Sequence, residues 1–387
     1  YTAIARNVDM PILYGSVRSI VALLFTLVTS VGAVWFGLFY FHDVSILTFW
    51  FSLDYNIRLL LIVATEGALL YYVDGRLEWS SARSSNLQGT YCIVTGANSG
   101  MGMWTAARMA RLGCTVIMAS RNEGKNRKAR SLLLKTCGRP GDGLAERLIL
   151  AQLDLHSRQS IASFVNHLST LLPKGEGRGI HYLINNAGFL AAGNSVAGKL
   201  DPSFEDMILG HYLLMTKLHD TQLLQPNARI VQVASRAAYV GRLSRRKDLT
   251  LAGLQKSASP SLAYCRAKLL NIVLSKAWSR HYPLYESVSL HPGAVHSAFY
   301  SSLPWGLRQS MMALNAIIFR GADHSSRLLV QAAVTPMAPQ HHKHPSTVLG
   351  VPGCFFHNGH RVPAPALSQK EELQDALLDL CASLIHQ

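Results

Sequence analysis

The sequence predicts an α/β protein with a doubly wound parallel sheet in three layers, helix over sheet over helix, preceded by a transmembrane helix or hairpin. Three observations support this prediction. From residue 89 onward, short apolar runs alternate with longer stretches of helical periodicity, and a glycine-rich turn follows the first run. A long uncharged stretch comes before them, at 19–41. Alternating strands and helices predict parallel strands joined by right-handed crossovers, with helices on both faces.

The composition fits such a protein. Of 387 residues, 49% are hydrophobic and 15% charged, with a mean hydropathy of +0.16. This profile excludes a disordered chain, and the positive hydropathy indicates membrane-embedded sequence. The formal net charge is +15, and the basic excess lies downstream of residue 88. Attraction to an anionic membrane face and to a phosphorylated cofactor explains the charge at least as well as nucleic acid, for which no binding motif is present.

The first 88 residues are predicted to form a membrane anchor and a linker. As a helix, residues 19–41 would span about 34 Å, enough to cross the hydrocarbon core. The stretch 57–73 contains Glu66 and is either a second span or a helix lying along the surface. Loop 42–56 has no Lys or Arg, so a hairpin would leave both its ends, and the domain at 89–387, in the cytosol. With one span, the orientation stays open.

The cysteines and histidines give little sign of metal chemistry. The six cysteines are scattered without a CxxC pair, which favours a reducing compartment. A histidine cluster at 341–344 has no other ligand-like spacing around it, so no metal site is predicted.

Seven short apolar runs in the domain are predicted strands. They lie at 91–95, 115–119, 147–153, 181–184, 229–233, 287–290 and 354–356. The first ends in the sequence TGANSGMG, at 95–102. Glycines at this spacing permit a tight turn and let a pyrophosphate approach the backbone at a helix N-terminus. A turn without a ligand is the alternative. The candidate cofactor-binding residues here are Gly96, Asn98, Ser99, Gly100, Met101 and Gly102.

Arg121 follows the second predicted strand, without the Asp or Glu that would bind a ribose 2′-hydroxyl. An arginine at this position, with Lys125 close by, can pair with a 2′-phosphate and stack on adenine. The sequence therefore favours NADP(H) over NAD(H), unless Arg121 is only a solvated loop charge.

Four further motifs follow in order along the chain. They are Asp154-Leu155, Asn185-Asn186-Ala187-Gly188, Ser235, and Tyr264 with Lys268 four residues later. Together with TGxxxGxG, this set resembles the short-chain dehydrogenase/reductase family, from about residue 89 into the C-terminal region. The resemblance implies a Rossmann-type fold and oxidoreductase activity on CH–OH groups.

The chemistry explains these residue types. Tyr264 and Lys268 lie on one helix face, so the ammonium can stabilise a phenolate and lower the pKa of the phenol. Tyr264 would exchange a proton with the substrate oxygen, to which Ser235 would donate a hydrogen bond. Lys268 would also hold the nicotinamide ribose. Taken singly, each of the three is equally compatible with a structural role.

The resemblance assigns further cofactor contacts. Asp154, with Leu155, would contact the adenine. Asn186, Ala187 and Gly188 would support the cofactor and the central sheet. The segment HPGAVHS resembles the family's PGxVxT segment, and it would meet the nicotinamide carboxamide through Pro292, Gly293, Val295 and Ser297.

One position departs from the family pattern. The segment MILGHYLL aligns with a family segment that reads roughly NHLGHFLL, so Met207 stands where an Asn helps to hold a water that relays protons to the lysine. The relay would then rest on a backbone carbonyl, a shifted water or another side chain. His211, one helical turn further on, is a candidate for that role or a structural residue.

The motifs HPG and LGHYLL, with the anchor, most resemble the retinol-dehydrogenase-like and polyprenol-dehydrogenase-like membrane branch. That branch implies a hydrophobic alcohol or carbonyl as substrate, and a membrane of the endoplasmic reticulum or a lipid droplet with the catalytic domain in the cytosol. Family members often form homodimers. The sequence thus predicts a membrane-anchored, NADP(H)-dependent oxidoreductase. The alternative, motivated by Met207, is a catalytically weak NADP(H)-binding scaffold or regulatory protein.

Overall fold

A computed structural model describes residues 85–173, 179–189, 199–241, 249–254, 260–293, 321–337, 352–357 and 360–385. The predicted membrane segments at 19–41 and 57–73 lie outside these ranges. No helix within them combines the length and the apolar character needed to cross a bilayer.

Within the described ranges, eight strands form one sheet in the order β3-β2-β1-β4-β5-β6-β7-β8. Neighbouring strands from β3 through to β7 are parallel, and β8 is antiparallel to β7. The strands are β1 Tyr91–Thr95, β2 Thr115–Ser120, β3 Leu148–Gln152, β4 Ile180–Asn185, β5 Leu224–Val233, β6 Glu286–His291, β7 Phe355–His357 and β8 His360–Val362.

Helices connect most of the strands. They are α1 Gly100–Arg111, α2 Glu123–Cys137, α3 Leu144–Arg147, α4 Arg158–Leu171, α5 Pro202–Phe204, α6 Gly210–Asp220, α7 Leu251–Leu254, α8 Pro260–His281, α9 Ala322–Val334 and α10 Glu371–Ile385. A π-helical turn, Glu205–Leu209, joins α5 to α6, and a 3₁₀ turn, Arg236–Tyr239, follows β5. A second 3₁₀ turn, Ala366–Gln369, precedes α10.

Two hydrophobic cores cover the two faces of the sheet. On one face, α4, α6, α8 and α10 bury their apolar sides, with Trp278 fully buried among them. On the other face, α1, α2 and α9 pack around Val94, Met109 and Leu329. Burial of strands on both faces explains why their sequences are continuous apolar runs and not alternating ones. The predicted three-layer α/β architecture is confirmed.

The seven predicted strands are all present: β1 has the predicted bounds, and the other six have shifted ends. The largest difference is β5, which starts at Leu224, five residues before the prediction, because its first half carries Pro226 and Asn227. Asn227 has a positive φ of 62° and interrupts the pairing with β4, so this half lacks an apolar pattern. Arg147 lies in α3 and not in β3. The strand β8 was missed because three residues at an antiparallel edge give no periodic signal.

The sheet order reverses between β1 and β4. Strands β2 and β3 extend to one side of β1, whereas β5, β6 and β7 extend to the other side. The loops that leave the carboxyl ends of β1 and β4 therefore run in opposite directions and open a crevice between them. The predicted cofactor-binding motifs follow these strands.

Candidate active site

The glycine-rich turn after β1 is packed against the segment after β4. Gly96 has a positive φ of 66°, and a side chain there would bring its Cβ within 3.0 Å of the Ala187 Cα. At Gly102 a Cβ would lie 2.5 Å from the Asn186 side-chain nitrogen. Gly96 is restricted to glycine by its left-handed backbone and the close contact, whereas at Gly102 the lack of space alone excludes a side chain. The two sequence motifs thus form one structural unit.

The amino end of α1 is open towards the crevice. Ser99 precedes the helix and does not cap it with its side chain, and its hydroxyl is 3.5 Å from the Asn98 side-chain oxygen. Gly100 has a φ of 54°, and a Cβ there would meet no atom within 4 Å. Met101, in the first turn, is half-buried. A helix N-terminus without a side-chain cap and with open space at Gly100 fits a pyrophosphate.

Thr95 holds the segment after β4 in place. Its hydroxyl oxygen accepts hydrogen bonds from the backbone N–H of Asn186 (3.0 Å) and of Ala187 (2.9 Å). In return, the Asn186 side chain donates to the Thr95 carbonyl at 2.9 Å. The Asn186 and Ala187 side of the crevice is therefore fixed by hydrogen bonds to β1.

The predicted adenine-side residues lie at the ends of β2 and β3. Arg121 is exposed immediately after β2. Asp154 is half-buried after β3, and its carboxylate accepts from the His156 backbone N–H at 3.1 Å. Leu155 is buried against Gly210 at the start of α6, where a Cβ would meet the Leu155 carbonyl. Because β2 and β3 are parallel neighbours, Arg121 and Asp154 share one edge of the sheet.

The three predicted catalytic residues come from β5 and α8. Ser235 follows β5, and its hydroxyl oxygen accepts from the Ala237 backbone N–H at 3.2 Å. Lys268 lies with its ammonium 5.5 Å from the centre of the Tyr264 ring. The same ammonium donates to the carbonyl of Val233, two residues before Ser235, at 2.8 Å. The hydrogen bond to Val233 ties α8 to the end of β5, where Ser235 begins.

Lys268 is buried, with 5% of its surface exposed. Burial lowers the pKa of its ammonium to about 8, because leaving water disfavours the charged form. At neutral pH the side chain is therefore still a cation held close to a phenol. A cation at this distance favours the phenolate over the phenol.

The segment after β6 is described only in part. Pro292 and Gly293 are buried at the carboxyl end of β6, and Gly293 has a φ of 84°. Val295 and Ser297 lie outside the described residues. Among the residues that the structure describes, no group of three or more His, Cys, Asp or Glu could hold a metal ion. All six cysteines are free thiols.

Comparison with known proteins identifies the family. The family model for short chain dehydrogenases matches residues 90–245. Retinol dehydrogenase 11 of Mus musculus is 33% identical over 234 residues, which are 58% of this chain and 68% of that protein. The chain belongs to the short-chain dehydrogenase/reductase family. It is thus an oxidoreductase of a family that acts on alcohols and carbonyls with a nicotinamide cofactor.

Two further matches extend this result. Polyprenol dehydrogenase of Homo sapiens is 29% identical over 302 residues, covering 74% of this chain and 82% of that protein. Among solved structures, an uncharacterized protein from Mycobacterium paratuberculosis aligns with a TM-score of 0.56 at 25% identity, covering 79% of this chain and 97% of that one. The predicted resemblance to the retinol and polyprenol dehydrogenases is confirmed.

Met207 departs from the short-chain dehydrogenase/reductase pattern in a buried position. It lies in the π-helical turn and is fully buried. A Cβ built on Gly188 would be 3.0 Å from the Met207 sulfur and 3.3 Å from the Lys268 ammonium. The thioether and the ammonium therefore flank the same point. A thioether is only a weak acceptor, so Met207 gives this lysine little polar support.

His211 is engaged in structural hydrogen bonds. Its Nδ1 lies 3.0 Å from the Met207 carbonyl, which can only accept, so this nitrogen carries the proton. Its Nε2, 3.0 Å from the Thr95 hydroxyl, must then accept. Burial lowers the pKa of His211 to about 4, in agreement with a neutral ring. With both nitrogens bonded, His211 does not replace the missing Asn.

Two polar residues of the site have roles that the sequence alone does not predict. Thr95 is only the first residue of the glycine motif in the sequence, but in the structure its hydroxyl holds the backbone of Asn186 and Ala187. Asn271 was missed, yet it stands three residues after Lys268 and therefore on the same face of α8. That spacing was the available signal.

Proposed function

We propose that the protein is an NADP(H)-dependent oxidoreductase that transfers hydride between the nicotinamide and a hydrophobic alcohol or carbonyl, with Tyr264 as acid and base. The observation that carries this proposal is the Lys268 ammonium, which is buried, 5.5 Å from the Tyr264 ring and bonded to the carbonyl of Val233. A buried cation beside a phenol, at the carboxyl end of a parallel sheet, suits proton transfer at a substrate oxygen.

Different residues of the chain have different roles at the substrate oxygen. When bound, the nicotinamide supplies the hydride for reduction of a carbonyl or accepts it in the reverse direction. Tyr264 gives its phenolic proton to the carbonyl oxygen, and the Lys268 cation stabilises the phenolate that remains. The Ser235 oxygen already accepts from Ala237, so its hydroxyl proton is available for the substrate oxygen as negative charge develops there.

The turn at 96–102 and the residues at the ends of β2 and β3 fit a phosphorylated dinucleotide. The amino end of α1 takes the pyrophosphate, and Arg121 pairs with the 2′-phosphate that distinguishes NADP(H). The Arg121→Ala variant is expected to weaken NADPH binding at least tenfold and to affect NADH binding much less. Lys128→Ala, which removes an exposed cation on α2, is the matched control. Equal losses for both cofactors would argue against this role of Arg121.

The named relatives support the proposed substrate class. Proteins named retinol and polyprenol dehydrogenase share about a third of their aligned residues with this chain. These names support a lipidic alcohol, aldehyde or ketone as the proposed substrate class, reached from a membrane of the endoplasmic reticulum or a lipid droplet by a domain on its cytosolic side. The apolar segment at 19–41 is the anchor. Glycosylation acceptors introduced into loop 42–56 test a hairpin, since only a lumenal loop would be modified.

The decisive experiment compares the full chain with its Tyr264→Phe variant. Retinoids, steroids, polyprenals and fatty aldehydes are offered with NADPH, and the corresponding alcohols with NADP⁺, while absorbance of the reduced nicotinamide is followed. We expect the variant to lose at least a hundredfold in turnover, the usual range for an acid–base group, and to bind NADPH as before. Undiminished turnover by the variant would overturn the role of Tyr264.

Met207 favours a second candidate function. Its sulfur lies where polar support for Lys268 would be expected, so a catalytically weak NADP(H)-binding scaffold or regulatory protein is the alternative. Tight NADPH binding by the wild-type chain, with no turnover of any lipid carbonyl or alcohol, would favour the scaffold.

A further inference from the structure

The buried ammonium of Lys268 has fewer acceptors than it has protons. An ammonium carries three donor protons. Within the described part of the chain, the acceptor at hydrogen-bond distance is the carbonyl of Val233, at 2.8 Å. The register of β4 against β5 ends with Asn185 opposite Gln232, one residue earlier, so this carbonyl lies beyond the ladder and is open to α8. Two protons of a buried cation remain to be accommodated.

Asn271 stands beside Lys268 on the same face of α8. Its side chain is 3% exposed, and its amide nitrogen lies 3.5 Å from the same Val233 carbonyl. Since a carbonyl only accepts, the amide must point its nitrogen there. The amide oxygen of Asn271 is buried and has no hydrogen-bond partner among the described residues. Sharing one acceptor brings this amide and the ammonium within reach of a single bridging water.

Two more amides lie next to this carbonyl. Asn185 and Gln232 face each other across β4 and β5, and both are buried. Their side-chain nitrogens converge on the sulfur of Met215, at 3.3 and 3.1 Å. Both amide oxygens are buried without a partner in the described ranges. Because thioethers are weak acceptors, these amides are held loosely at one end and keep a strong acceptor at the other.

Three orphaned amide oxygens, one on Asn271 and two on residues at the strand ends beside the Val233 carbonyl, call for an explanation. Buried polar atoms without a partner are uncommon, since each costs about 1–3 kcal/mol. Buried water usually bonds to several polar groups that are otherwise unsatisfied. Oxygens that accept and a cation that donates are complementary partners for such water.

We infer that Asn271 is a positioning residue for Lys268, which together with Gln232 and Asn185 holds ordered water against the ammonium. This polar group takes the place of the support that the Met207 thioether does not give. It acts on Tyr264 only through Lys268, by keeping the cation in place beside the phenol. The catalytic role of this polar group rests on the proposed function. Its effect on Lys268 can nevertheless be tested without measuring turnover.

The test follows ionisation of the Tyr264 phenol in the full chain by ultraviolet difference absorbance, with Tyr264→Phe as the blank. In Asn271→Leu, which matches the size of the side chain without its oxygen, we expect the phenol ionisation constant to fall about tenfold, because the cation loses support. Asn271→Ser keeps an oxygen and leaves room for water, and should recover most of that loss.

The matched control is Asn126→Leu. Asn126 is equally buried, donates its amide to the Met118 carbonyl at 2.7 Å and leaves its oxygen without a described partner. It lies on α2, away from Lys268, so the Tyr264 ionisation should not change. Gln232→Leu provides a second variant with the same expected direction if Asn271→Leu does not fold.

The outcomes separate the two proposals. An unchanged Tyr264 ionisation in both folded leucine variants, or a serine variant as impaired as the leucine one, would overturn the role of Asn271. A shifted ionisation in a chain that turns over no lipid carbonyl would support the positioning group and reject the proposed enzyme. Turnover that depends on Tyr264 but is insensitive to Asn271 would support the proposed enzyme and reject the positioning role of Asn271.

Discussion

Thr95 and His211 are joined by a 3.0 Å hydrogen bond between the threonine hydroxyl and Nε2 of the imidazole, at a point where both are buried. The bond connects β1 to the first turn of α6. Through Thr95 it continues to the backbone of Asn186 and Ala187, and through His211 to the carbonyl of Met207. One neutral imidazole therefore links the cofactor turn to the residue that departs from the family pattern.

This arrangement predicts acid lability. The folded pKa of His211, about 4, lies below the ordinary value of 6.5, so the unfolded chain binds a proton between these pH values and the folded chain does not. The contribution of the neutral His211 to the free energy of unfolding is therefore fully present above about pH 6.5. This contribution, about 3 kcal/mol, is lost as the pH falls towards 4. In His211→Asn this part of the pH dependence should disappear. Thermal midpoints over that range measure it, and parallel curves for the two proteins would contradict it.

Lys268 predicts an upper pH limit for carbonyl reduction. Its pKa of about 8 means that the ammonium is lost above that pH, and stabilisation of the Tyr264 phenolate is lost with it. The value of kcat/KM should decline above about pH 8. Lys276→Met, a change of another partly buried lysine on α8, should leave the limit in place. A rate that keeps rising well beyond that pH would exclude Lys268 as the group responsible.

Gly102→Ala should damage the cofactor turn. The added methyl would lie 2.5 Å from both the Asn186 side-chain nitrogen and the Gly96 carbonyl oxygen, so the two segments must separate. We expect at least tenfold weaker NADPH binding and a lower thermal midpoint. Gly124→Ala on α2 is the control, since its nearest neighbour is 3.5 Å away and alanine favours a helix by about 1 kcal/mol. Similar results for both would show that the contact is unimportant.

Arg229 should be the costliest cation to remove from the sheet. It is buried on β5, pairs with Glu286 on β6 at 2.6 Å and donates to the carbonyls of Ala332 and Thr335 at the end of α9. Its replacement by Met leaves these acceptors unpaired, so we expect a loss of about 3–5 kcal/mol. The more exposed Arg280, paired with Asp375, should cost under about 1 kcal/mol when changed in the same way. Denaturant unfolding measures the loss of unfolding free energy in the two variants, and equal losses would contradict this prediction.

The parallel sheet and the motif positions could be predicted because their signals are local. A strand buried on both faces is a continuous apolar run, and the glycine turn must follow such a strand wherever it lies in the chain. The pairing of Tyr264 with Lys268 needed only helical spacing. The first half of β5 was not predicted because Pro226 and Asn227 break the apolar pattern, and Leu224 joins the sheet by pairing with Ile180 on β4 before the register shifts.

The remaining features depend on distant contacts. The tautomer of His211 is set by a carbonyl on one side and by Thr95, over a hundred residues away, on the other. The π-helical turn that carries Met207 has no sequence signature of its own. Asn185 and Gln232 become a pair only when β4 and β5 align. No periodicity of the chain encodes these relationships.

Gly188 and Met207 are in close contact. The space that a side chain at position 188 would need is already filled by the methionine sulfur on one side and the lysine nitrogen on the other. A side chain at position 188 would push the methionine sulfur and the lysine nitrogen aside by a few tenths of an ångström. A substitution of this glycine would therefore be felt at Met207 and Lys268, which lie far from it in the sequence.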